Sequence, residues 1–464
     1  MIFSSIEFLL LFLPAFLIFY RLSPDRMKNV VLLAGSLIFY AIGELKYLVL
    51  LMVSVLFNYV AGLHLEQMPR QKGKQNKQKK SKYDRKRKRI FIAAIVTNVG
   101  LLAVCKAVLD EDALPLGVSF YTFQVLSYLI DVYRGEQKRE KSFVRFATYI
   151  TMFPKLVSGP ITGYGEVRES LHERKFDVDK LQQGLKLFTM GLAAKVLLAD
   201  RIGLLWREVQ VTGFESISTP LAWLAAAAYS MKIYFDFYGY SLMARGLGRM
   251  LGFELPENFR TPYMARSVRD FYRRWHITLG SWFCRYVYIP LGGSRKGELR
   301  TVLNLMAVWA LTAVWHGSTA NFLLWGVLLW LLIVFERQLE ALGADRLIKK
   351  GPFRLIPHLY LWVVIPVTWV CFAVTDLSQL HAYLGRMFGV TEGIRVSARD
   401  WIKALETYWY LFAASALACT PLLRKLFYRW KDSFVGAVIL AGLFWLCVWR
   451  LQVEGNNPFM YFRF

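Results

Sequence analysis

Histidine is scarce in this chain, with six in 464 residues, and acid is scarce too: 33 Asp and Glu face 58 Lys and Arg, a formal charge of +25. Cysteine is sparse and unordered. Cys105, Cys284, Cys371, Cys419 and Cys447 are odd in number and lie mostly in apolar runs without metal or redox spacing. That excludes a disulfide scaffold and a zinc module and leaves five small apolar residues. No internal repeat is visible, and nothing looks like the paired inverted halves of many transporters. The glycine-rich stretches GLGRMLG and LGGSRKG match no phosphate-loop pattern. The first twenty residues, MIFSSIEFLLLFLPAFLIFY, lack a basic leader and a small-residue cleavage site and carry Glu7 early. They predict a retained first helix, not a cleaved signal.

What the chain has is apolar surface. Hydrophobic residues make up 56% of it and aromatic residues 16%. So many runs approach the length of a bilayer crossing that the fold class follows: an all-α polytopic integral membrane protein, with about 11–13 crossing or re-entrant helices by core thickness. The positive charge does not point to nucleic acid. Residues 70–89 hold twelve Lys or Arg and one Asp, net +11 of the whole +25. One basic loop between apolar helices is first a topology signal and then a contact for membrane lipid. With that loop inside, helices at about 6–20, 29–42, 47–63, 90–109 and 114–133 alternate, and the acidic stretch DEDA (110–113) falls outside. FPKLVSGPI (153–161) predicts a bent or re-entrant segment, because Pro154, Gly159 and Pro160 interrupt a weak apolar run. Helices are expected at about 182–198, 219–235, 353–375, 405–423 and 434–451, with a long polar loop at 376–400.

Two histidines stand out against this background. His316 ends an apolar run, VLNLMAVWALTAVW (302–315), and precedes a second, NFLLWGVLLWLLIVF (321–335). Fourteen helical residues rise only about 21 Å, short of a hydrocarbon core of about 30 Å. The run either stops inside the membrane at His-Gly-Ser-Thr, where Gly317 makes a break cheap, or tilts out and leaves His316 capping a surface hairpin. His276 falls after a capping box, Ser267 with Asp270, and shares a predicted helix face with Arg269, Arg273 and Gly280. That face suits a wet cavity or an interface, and plain solvation accounts for it as well. Trp275 and Trp315 each precede a histidine. Asp236, near membrane depth in YFDFYGY, is either a partner for an arginine or a substrate hydroxyl, or a satisfied structural carboxylate. His276 and His316 lack a third ligand of suitable spacing, so no metal is expected. His64, His172, His358 and His381, at helix ends or in polar loops, receive no role.

Taken together, FDFYGYSLMARGLGRMLGFELPENFRTPY, RRWHITLGSWF, YVYIPLGGSRKG and WHGS followed by FLLWG resemble the membrane-bound O-acyltransferase (MBOAT) family, in its bacterial alginate O-acetyltransferase-like branch. SFYTFQVLSYLIDVYRGE (119–136) and FPKLVSGPI agree. The resemblance spans residues 115–335 strongly. Tyr238, Leu242, Cys284-Arg285 and Thr162-Gly163 depart from the family's usual residues.

The resemblance implies one membrane-embedded domain over 1–464: N-terminal helices in 1–113, a catalytic core in 114–336 around a central tunnel, and C-terminal helices in 337–464. It implies His316 as catalytic base or acyl relay, with His276 assisting. Asp236, Asn258, Arg273, Arg274, Trp275 and Trp315 are the candidate substrate-binding residues. Ser318 is discounted as a nucleophile. The implied donor is acetyl-CoA, with no bound cofactor, and Arg273, Arg274, Arg285, Arg295, Lys296 and Arg300 could contact its phosphates. The acceptor would be a cell-surface polysaccharide, reached through an extracytoplasmic hydrolase-like acyltransferase partner, from a multi-pass position in the bacterial inner membrane. Two other readings remain: D-alanyl transfer to teichoic acid, which YIPLGGSRKG and the helices after residue 400 disfavour, and a transporter without acyl chemistry.

Overall fold

The computed structural model describes residues 2–66, 75–110, 113–343, 355–390, 397–455 and 458–459, with backbone alone for 75–82. Among the described residues every regular element is a helix. Five segments are long and apolar enough to cross a membrane: Asp25–Leu63, Tyr83–Val108, Ala320–Ala341, Ile356–Ala373 and Phe434–Glu454. Only 17% of the apolar window in Tyr83–Val108 is buried, and Val96 and Val104 point outward. Such a surface would aggregate in water and is what a hydrocarbon solvent requires. The protein is an all-α, polytopic membrane protein.

The chain divides into two compact units. The first comprises Met1–Phe188, Tyr240–Pro256 and Pro458–Phe464. Its centre is a phenylalanine cluster in which Phe153 meets Phe12, Phe16 and Phe39 at ring separations of 5.2–5.6 Å. Phe153 opens the FPKLVSGPI segment, which folds as a short helix, Phe153–Leu156, followed by a turn and extended chain. The expected bend is therefore present. Asn58 and Asn98 exchange amide hydrogen bonds of 3.0 and 2.7 Å between two neighbouring helices, satisfying polar groups that lipid could not. The glycines of GLGRMLG serve packing: a Cβ on Gly246 would lie 2.6 Å from the Gly184 carbonyl oxygen, so only hydrogen fits where the two backbones cross.

Several expected boundaries move. The basic stretch 70–89 is not a loop throughout; residues 70–74 lie outside the described residues, and from Gln75 the chain is helical to Val108. Lys and Arg are good helix formers, so the apolar helix simply continues into them. Residues 111–112 of the acidic turn also lie outside. The loop at 376–400 contains a helix, Leu377–Phe388, capped by Asp376, whose carboxylate accepts from the Gln379 amide at 2.9 Å; residues 391–396 are outside. The helix expected to end at 235 runs from Thr219 to Met250, which puts Asp236 in mid-helix.

The second unit comprises Thr189–Gly239 and Glu257–Asn457. Here the helix Glu298–His316 starts four residues before the apolar run and spans nineteen residues, about 28 Å. It stops at His316, and Ala320–Ala341 follows. The break does not use glycine's conformational freedom: Gly317 has φ −178°. It uses glycine's size, since a Cβ would sit 2.2 Å from the Phe322 ring. Gly317→Ala is expected to destabilise the protein by about 1–3 kcal/mol, and Phe322→Leu in the same chain to recover part of that. Thermal unfolding in detergent reads both; additive losses would mean the two residues do not compete for that space.

Candidate functional site

His276 is not on a continuous helix. The capping box forms, with Ser267 Oγ accepting from the Asp270 amide at 3.0 Å, but the helix covers only Val268–Arg274. His276 then takes a left-handed conformation, φ 45° and ψ 52°, and a new helix runs Ile277–Phe283. A non-glycine residue in this region costs about 1–2 kcal/mol, so its surroundings must impose it.

Asn258 imposes it. Its backbone carbonyl accepts from the Ile277 amide at 3.0 Å, two residues before Arg260 donates to the Arg274 carbonyl at 2.9 Å. Its side-chain Oδ1 meets three groups: the Thr278 amide at 3.1 Å, the Thr278 hydroxyl at 3.0 Å and His276 Nδ1 at 3.1 Å. Asn258 is 1% exposed and His276 4%. Among the described residues, His276 Nε2 and Asn258 Nδ2 are buried without a hydrogen-bond partner. Buried polar atoms of this kind mark either a strain reservoir or a place for a ligand.

The break also separates residues predicted to share a face. Arg269, Arg273 and Gly280 line a cavity of about 510 Å³ with Tyr272, Ser281 and Cys284, while His276 turns into the protein against Phe237, ring to edge at 4.7 Å. In that cavity Arg269 pairs with Glu340, and Arg337 holds Glu298 through two bonds of 2.6 and 2.9 Å. Arg273 has no ionic partner among the described residues. Arg274 pairs with Asp270 at 2.9 Å. Arg285 lies over the Tyr286 ring, and Arg300 reaches the Leu291 carbonyl.

His316 is 7% exposed and walled by aromatic rings: Trp325 at 5.2 Å, Phe372 at 5.0 Å and Trp315 at 4.6 Å. Trp315 also faces His276 at 6.3 Å, so one indole touches both imidazoles. Trp275 packs on Trp369 and Phe259 at 4.8 and 5.0 Å. Asn321 fixes the far wall by donating to the carbonyls of Cys371 and Phe372 at 3.2 and 3.0 Å. Ser318 is exposed.

Asp236 is buried beside a lysine: Lys195 Nζ lies 2.7 Å from Asp236 and 2.7 Å from Asp200. Lys195 sits in a π-helical segment, Ala194–Ala199, which turns it inward. The plainer reading of Asp236, a satisfied carboxylate, matches that geometry. Lys195 left a signal that sequence reasoning passed over, one cation within GLAAKVLLA. Trp369 and Phe372 left none, since any apolar helix offers such residues.

With this geometry in hand, similarity to known proteins is informative. The MBOAT family profile matches residues 32–375. The chain is 32% identical to the probable alginate O-acetylase of Pseudomonas putida over 100% of both sequences. It is 30% identical to the peptidoglycan O-acetyltransferase of Helicobacter pylori over 84% of this chain and 80% of that one. Identity to the teichoic acid D-alanyltransferase of Bacillus subtilis is 27%, over 46% of this chain and 56% of that one.

Proposed function

Because the chain belongs to the membrane-bound O-acyltransferase family, and is an O-acyltransferase, we propose that it moves an acetyl group from acetyl-CoA toward hydroxyls of a cell-surface or secreted polysaccharide. One observation carries this: two buried imidazoles meet a single indole, Trp315, in a wall of aromatic rings. Water is largely kept from both rings, and a hydroxyl nucleophile needs a base that water does not compete with.

His316 serves as general base or transient acyl carrier, and His276 orients a reactant beside it. The cavity along Arg269, Arg273 and Ser281 suits the phosphates of the donor, with Arg273 offering a guanidinium that no carboxylate among the described residues holds. Arg274 is engaged with Asp270 and Asp236 with Lys195, so neither is retained as a substrate ligand. Trp275 and Trp315 shape the walls. An extracytoplasmic hydrolase-like acyltransferase completes delivery to the polymer, and the chain resides in the bacterial inner membrane.

The test is label transfer from radiolabelled acetyl-CoA by membranes holding this chain, with and without the partner and polymer. Label reaching polymer from the purified chain alone would remove the partner from this scheme. Ser318→Ala should keep at least about half of wild-type turnover, as expected of a surface hydroxyl outside the reaction. A loss of a hundredfold or more would restore Ser318 as a nucleophile. D-alanyl transfer is the second reading, favoured by the likeness to the teichoic acid enzyme; a D-alanyl carrier protein replacing acetyl-CoA as the productive donor would select it. Transport without acyl chemistry would show as movement of substrate that survives loss of His316.

A further inference from the structure

The hydrogen bonds at Asn258 decide which nitrogen of His276 faces the reaction. An asparagine oxygen only accepts, and a backbone amide only donates. The Thr278 amide donates to Asn258 at 3.1 Å, so the atom it meets is the oxygen and the side-chain amide has one orientation. His276 Nδ1 contacts the same oxygen at 3.1 Å; it must therefore carry the ring proton. That leaves Nε2 as a bare lone pair, buried and without a partner among the described residues.

We infer that Asn258 is a positioning residue that locks His276 in its Nδ1–H tautomer, so that Nε2 accepts from an acceptor hydroxyl beside the one His316 deprotonates, rather than meeting the donor's thioester carbonyl. A lone pair accepts from O–H, whereas a carbonyl oxygen would require a donor at Nε2. The inference rests on the acyl-transfer reading for what occupies the site, and on the hydrogen bonds alone for the tautomer. Three features favour it over a purely structural asparagine. The left-handed backbone of His276 is held by the same side chain. The Thr278 hydroxyl adds a third bond to that oxygen. Phe237, perpendicular to the imidazole at 4.7 Å, carries no side-chain oxygen or nitrogen to compete with Asn258.

Two arms test this with the full-length chain in lipid. The first needs no turnover: solid-state NMR of ¹⁵N-histidine-labelled protein, with His276 assigned by difference from His276→Gln. The expected spectrum at neutral pH shows protonated Nδ1 and bare Nε2. Protonated Nε2 overturns the lock even if acetyl transfer is robust. The second arm compares Asn258→Asp with Asn258→Leu. The carboxylate keeps all three acceptor bonds and stabilises imidazolium, so the acid limb of acetyl transfer should move up by about one pH unit. Leucine should lower transfer by about 10- to 100-fold, with the acceptor's KM rising and that of acetyl-CoA unchanged. An unshifted acid limb in Asn258→Asp, with melting like wild type, overturns the positioning role. A KM change confined to acetyl-CoA overturns the assignment of the hydroxyl. If wild-type protein transfers no acetyl group, the functional reading fails while the NMR arm still decides the tautomer.

Discussion

Lys195→Met should cost about 3–5 kcal/mol of stability, because it removes a buried ammonium that lies 2.7 Å from each of two carboxylates. Lys195 and Asp236 are each 3% exposed, and Asp200 only 15%. Water therefore cannot take over the solvation that the ammonium provides. The local packing is also tight: a Cβ on Gly239 would lie 2.6 Å from the Gly191 carbonyl and 3.0 Å from the Lys195 amide, so the two backbones are in close contact there. Thermal unfolding in detergent would register the loss. Adding Asp236→Leu to Lys195→Met should recover part of it, since the more buried of the two carboxylates is then replaced by an apolar side chain. A melting temperature unchanged in the single variant would mean the ammonium does not hold those carboxylates.

His316→Ala should lower acetyl transfer by at least about a hundredfold, toward the ten-thousandfold end for a group that handles the acceptor's proton. The residue ends its helix, and the Gly317 amide bonds back to Ala313 at 3.2 Å whatever the side chain at 316. The backbone should therefore persist, and the void between Trp325 and Phe372 should lower stability only in part. Matching expression and melting against turnover separates the two effects. Turnover equal to wild type would leave His316 structural and bring D-alanyl transfer or transport forward.

The fold class is legible because hydropathy reports lipid exposure directly, and the stop at His316 is legible from the polar His-Gly-Ser-Thr between two apolar runs, although the helix that ends there has nineteen residues and not fourteen. The reason for that break is not. Gly317 suggested free torsion angles, while the structure needs its lack of a Cβ beside Phe322. His276 shows the opposite failure. Its neighbours have sound helical periodicity, and Arg269, Arg273 and Gly280 do line one cavity. The turn at His276 depends on Asn258, eighteen positions earlier, and no local propensity encodes a hydrogen bond across that interval. Asp236 is legible as costly at depth, but Lys195 lies 41 positions away on another element, an interval no local pattern spans.

Glu336 gives the paired histidines a mechanical property. From the Ala320–Ala341 helix its carboxylate accepts the amides of Val268 and Arg269, at 2.6 and 3.1 Å. The short helix leading to His276 thus hangs from the helix that directly follows His316. When a bilayer thins or thickens, spanning helices accommodate by tilting. Here the Glu336 carboxylate ties the two elements together, so a tilt of the Ala320–Ala341 helix should draw the start of the Val268–Arg274 helix with it.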